Sequence, residues 1–155
     1  MFKMTKLFLI LIILNITIHT VYSCSCMMPE KNLAELIKTY SNIFKATVAD
    51  IKYTTYPHGN WENLVYFNNI VSIKGDNTES TNYATMGNGA LCGVSFSKNE
   101  TWLVYAQARN DKVSISLCSF TRRYQNYDDY TTKSEVNQLQ ALMEASKAKS
   151  LRNLN

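Results

Sequence analysis

The sequence predicts a mainly β domain with a helix at each end, and three observations carry that expectation. Stretches rich in Val, Ile, Phe and Tyr recur from Asn42 to about residue 120, separated by clusters of Gly, Pro and Asn. Apolar residues at helical spacing precede them, and a second such pattern follows them. The order helix, five or six strands, helix describes a small β-barrel with flanking helices.

The first helix is expected over residues 30–40, where Leu33, Leu36, Ile37 and Tyr40 share one side and Pro29 stands just ahead of the first turn. "NIFKATVADIKY" and "LVYFNNIVSIKG" then read as strands, and "TTYPHGNWEN" between them as a long hairpin loop around Pro57, Gly59 and Asn60. A third strand is expected near "TNYATM", stopped by Gly87-Asn88-Gly89. "ETWLVYAQA" and "KVSISLCSF" flank Arg109-Asn110-Asp111, a hairpin turn. In the second of these, Val113, Ile115 and Leu117 alternate with serines, as in a half-buried strand. Near the C-terminus, Thr132-Lys133-Ser134-Glu135 fits a capping box, and Val136, Leu139, Leu142 and Met143 line one side of the helix it would open. Lys147, Lys149 and Arg152 suit the negative end of that helix's dipole.

Residues 1–23 read as a secretory signal. Lys3 and Lys6 give a positive start, residues 7–14 are an unbroken apolar run, and Val21 and Ser23 fit a cleavage site before Cys24. The run is shorter than the roughly 18 residues a membrane span needs, so no stable membrane insertion is expected. Of the 155 residues, 132 then remain, enough for one domain with a real core. The leader holds two of the 16 basic residues and none of the 12 acidic ones, which leaves a mature charge of +2. So mild a charge argues against a nucleic-acid partner. Asn99-Glu100-Thr101 is a glycosylation sequon in a polar setting.

The mature chain carries four cysteines, at 24, 26, 92 and 118, and an even count in a secreted protein reads as two disulfides. A bond between Cys24 and Cys26 would close a very strained ring. Either remaining pairing ties the N-terminus to the second half of the chain. Catalysis finds little support. His58 is the single histidine after the leader, Asp128-Asp129 lies in the polar stretch "RRYQNYDDY", and the thiols are committed. We therefore expect a protein that is not an enzyme and has no cofactor of its own.

A processed chain beginning at Cys24 would present a free α-amine with an unperturbed pKa of about 7.7–8.0. That amine is partly neutral at physiological pH, and with the carbonyl oxygen of the same residue it can form a five-membered chelate. Catalytic zinc sites use three protein ligands and keep one position for water or substrate. A rigid Cys24 could occupy that position on another protein's zinc, and two disulfides would supply the rigidity. The plainer reading makes the same bonds ordinary staples of a secreted domain.

Cys24-Ser25-Cys26 directly after the leader resembles the start of the tissue inhibitors of metalloproteinases (TIMPs), within the netrin-like (NTR) group. "YSNIFKATVADI" is similar to that family's first strand, "ALCGVSF" to the segment bearing the partner of the first cysteine, and "TWLVYAQARNDKVSISLCSF" to its late hairpin. The resemblance covers residues 24–124, leaving residues 125–155 as a C-terminal helix and basic tail. It implies an OB-fold-like barrel of five or six strands, with disulfides Cys24–Cys92 and Cys26–Cys118. It also implies an extracellular, monomeric inhibitor of zinc metalloendopeptidases of the matrix metalloproteinase or adamalysin type. Cys24 would chelate the target's zinc, Ser25 would face the S1′ pocket, and Cys26, Met27 and Met28 would lie along the primed cleft. Ala90, Leu91 and Cys92 would form the second line of the wedge, and residues 54–61 a variable loop beside it. Met27 and Met28 have a competing role as gap fillers beneath the ridge.

The chain departs from the family at three points. It lacks the cysteines of the usual third disulfide and the cysteine-rich C-terminal domain, and Met28 stands where proline is common. The alternative function is a non-inhibitory netrin-like binding module for a receptor, growth factor or extracellular-matrix glycan.

Overall fold

A computed structural model describes residues 26, 30–55, 61–78, 81, 83–86, 93–109, 112–124 and 130–153. Two 14-residue strands, β1 (Asn42–Thr55) and β2 (Trp61–Lys74), organise these residues. They pair antiparallel through Thr54 with Glu62 and Thr55 with Trp61, so the loop between them is tighter than the expected residues 54–63. Threonine and tryptophan suit a pleated ladder, and the ladder continues as long as partners face each other. Three register shifts bend this hairpin. Opposite the step from Lys45 to Thr47, β2 takes an extra residue between Asn68 and Val71, and Asn69 there adopts φ 50. Asn tolerates that left-handed conformation, and such bulges increase local twist.

The twist lets β1 reach two neighbours. Its first half also pairs with β4 (Thr101–Arg109), from Asn42 with Ala106 to Thr47 with Thr101. β3 (Tyr83–Met86) joins β2, β5 (Lys112–Ile115) joins β4, and β3 and β5 meet in parallel. The ring β1-β2-β3-β5-β4 closes on itself through β1–β4, a mainly β architecture with an OB-fold-like barrel and flanking helices. β6 (Arg122–Arg123) adds to the free side of β4, a strand the sequence did not suggest. β5 is shorter than expected. It stops at Ile115 because Ser116 and Ser119 fold the chain into a turn, Ser119 N–H donating to the Ser116 carbonyl at 3.0 Å and Cys118 N–H to Ser116 Oγ at 3.1 Å.

Helix α1 (Leu33–Thr39) starts later than the sequence pattern implied. Asn32 caps it, its side-chain oxygen accepting from Ala34 N–H at 3.0 Å and Glu35 N–H at 3.3 Å. Helix α2 (Tyr130–Arg152) begins before the expected capping box, so Thr132 and Glu135 stand inside the helix and are buried. Among the described residues no helix is long and apolar enough to cross a membrane.

Two apolar clusters lie on opposite faces of the same strands. Inside the barrel, Phe44, Val48, Val65, Phe67, Tyr83, Val104 and Ile115 are buried together, with Phe67 edge-on to Phe44 and Tyr83 at 5.4 Å each. Outside it, α1 and α2 cover Ile43, Ile73, Leu103 and Tyr105 with Leu36, Tyr40, Val136 and Leu139. β4 is thus covered on both faces from Leu103 to Ala106, which is why "LVYA" reads as a continuous apolar run. On α2, Leu139 is buried whereas Leu142, expected on the packed side, is 38% exposed. The stripe that meets the barrel runs through Thr132, Glu135, Val136, Leu139 and Met143.

Candidate functional site

Of the residues expected to form the inhibitory ridge, Cys24, Ser25, Met27, Met28, Ala90, Leu91 and Cys92 lie outside the described residues, as does His58. Cys26 is described. A disulfide joins it to Cys118, with 5.3 Å between the Cα atoms, in the serine turn that follows β5. The bond thereby fixes the chain two residues beyond Cys24. Beside it, Tyr40, Tyr105, Gln107, Ser114 and Cys118 border an open cleft of about 280 Å³. Burial raises the pKa of Tyr40, and it pushes Tyr105 up to about 12 with Arg122 pulling weakly against it. Both phenols therefore stay neutral at physiological pH.

The segment expected to form the second line of the ridge leaves the described residues after Met86, and the chain is described again from Gly93. Its return is anchored inside the barrel, where Val94 is buried and its N–H donates to Thr85 Oγ1 at 3.2 Å. One residue after Cys92, the chain is therefore already part of the core.

A third anchor holds the segment that follows Cys26. Glu135 of α2, only 4% exposed, accepts from Lys31 Nζ, from the Tyr105 hydroxyl and from both Nη atoms of Arg122. Arg122 Nε also donates to Thr132 Oγ1 at 3.3 Å. Two cations and a phenol thus surround one buried carboxylate, which satisfies its lone pairs. Sequence reading missed this cluster by treating Glu135 as half of a capping box. The available signal was its place three residues after Thr132 and four before Leu139, on the stripe that packs.

Asn99 stands on the surface in the turn before β4, with φ 68. Its N–H donates to the Val48 carbonyl at 2.9 Å, and Val48 N–H donates to the Glu100 carbonyl at 2.8 Å, so the turn is stitched to β1. Among the described residues no three His, Cys, Asp or Glu side chains are grouped to hold a metal ion. Neither a protein-family model nor a curated protein matches this chain.

Proposed function

We propose that this protein is a secreted, single-domain inhibitor of zinc metalloendopeptidases. In this reading the mature N-terminal Cys24 inserts its amine and carbonyl oxygen at the target's catalytic zinc, displacing the bound water. Ser25 enters the S1′ pocket, Cys26, Met27 and Met28 follow along the primed cleft, and Ala90, Leu91 and Cys92 complete the wedge beside a Cys24–Cys92 bond. Asn99, at a surface turn, is the position for an N-linked glycan.

The observation that supports this best is the Cys26–Cys118 disulfide, which pins the chain two residues after Cys24 to a closed barrel. Ordering a loose terminus on binding weakens a complex, and an anchored one avoids that loss. The test is titration of correctly processed protein against a panel of zinc endopeptidases, alongside forms acetylated at Cys24 or extended by one residue. Stoichiometric inhibition should weaken by at least about 100-fold in both altered forms, because neither retains the chelating amine. Equal inhibition by all forms would rule out chelation. A processed protein that inhibits no protease would leave the barrel as a netrin-like binding module.

A further inference from the structure

The Glu135 cluster contains none of the residues expected in the ridge, yet through Lys31 it holds the chain shortly after Cys26 in sequence. Lys31 comes five residues after Cys26 and directly before Asn32, the cap of α1. Five residues extend to roughly 17 Å at most. A disulfide to Cys118 and an ion pair to Glu135 therefore grip both ends of a short segment. Among the described residues, the charged and titratable groups bonded to the Glu135 carboxylate are Lys31, Arg122 and Tyr105, contributed by the N-terminal segment, β6 and β4. Arg122 and Tyr105 suffice to keep the carboxylate paired, so Lys31 is not needed to neutralise it. What Lys31 adds is a connection between the beginning of the domain and its last helix.

We propose that Glu135 is a positioning residue, which holds Lys31 and so fixes the orientation of the N-terminal segment that presents Cys24. The inhibitory consequence rests on the function proposed above; the tether itself does not. The C-terminal helix is by this account part of the inhibitory device, although it contributes no residue to the wedge. It acts across 104 positions of sequence.

The full mature chain tests this with Lys31→Met and Lys31→Arg. Lys31→Met keeps Glu135 paired with Arg122 and Tyr105, so the thermal midpoint should move by less than about 4 °C. Amide exchange in peptides covering residues 26–32 should nevertheless accelerate at least about tenfold, with the barrel strands unchanged. Inhibition of a sensitive zinc endopeptidase should weaken about tenfold, since the segment must be ordered on binding. Lys31→Arg should restore both. Unchanged exchange over residues 26–32 in Lys31→Met overturns the proposal. Exchange that rises uniformly across the barrel also overturns it, because Lys31 then serves global stability alone. If the native protein inhibits nothing, the inhibitory reading falls while the exchange measurement still decides the tether.

Discussion

Gly75 shows how much of this fold rests on one backbone position. At the end of β2 it adopts φ 82, and a Cβ there would lie 2.7 Å from the Ser41 carbonyl oxygen and 2.8 Å from Asn42 Nδ2. The same corner is knotted by Asn77, whose Nδ2 donates to the Lys74 carbonyl at 2.8 Å while its Oδ1 accepts from Asn42 at 2.9 Å and from the Tyr83 hydroxyl at 3.0 Å. Gly75→Ala should therefore lower stability by about 2 kcal/mol or more, from left-handed strain plus contact with rigid backbone. Urea unfolding measures this, and a change under about 0.5 kcal/mol would mean that the corner relaxes freely. Neither Gly75 nor Asn77 stands out in the sequence. Their roles depend on Asn42 and Tyr83, which lie 35 and 6 residues from Asn77 and meet it only when β1 and β3 flank β2.

Among the elements, α2 best separates what pattern reveals from what it hides. Helical spacing was enough to place a helix there and to mark Val136 and Leu139 as packed. The motif Thr132-x-x-Glu135 was misread because a capping box and a buried polar pair share one spelling. Which applies depends on whether the helix starts at Thr132 or earlier, and α2 already includes Tyr130. β6 was invisible for a related reason: Arg122 and Arg123 have no strand signature and pair only because β4 offers them an open ladder at Trp102 and Leu103. The Val-, Ile-, Phe- and Tyr-rich stretches of β1, β2 and β4 were legible because each lines the barrel interior, and β4 is covered on its outer face as well. Of the candidate site, the cysteines were legible as residue types; helical spacing could have put Glu135 on the packed stripe, but nothing in the pattern marks Lys31, 104 positions away, as its partner. The packing of α2 makes a paired expectation. Leu139→Ala, fully buried between helix and barrel, should cost about 3 kcal/mol, whereas Leu142→Ala should cost less than about 0.5 kcal/mol. Chemical denaturation of both variants checks it, and equal losses would place the contact stripe elsewhere.

At the scale of the whole molecule, buried phenols make alkali a selective stress. Tyr83 and Tyr105 are fully buried, and desolvation lifts each pKa from 10 to about 12. Between those values the unfolded chain has released both protons while the native state retains them, so stability falls as pH rises through that window. The contribution is on the order of 2 kcal/mol per residue, present in full below pH 10. Denaturation midpoints measured from pH 9 to 12 should drop, and Tyr83→Phe should flatten the slope by about half. A midpoint independent of pH over that range would show that water reaches both rings. The barrel that encloses Tyr83 also has an uneven circumference. β1 and β2 share eleven residue pairs, while β3 and β5 share three, in the less favourable parallel arrangement. β4 and β5 also share three pairs but run antiparallel, so the joint expected to part first is the parallel one, between the strand that runs on toward Leu91 and the strand that runs on toward Cys118. If the function proposed above holds, Leu91 and the Cys118 partner of Cys26 each follow one side of that seam in sequence, so the covalent strap at Cys26 ties the inhibitory arm to the joint most prone to breathe.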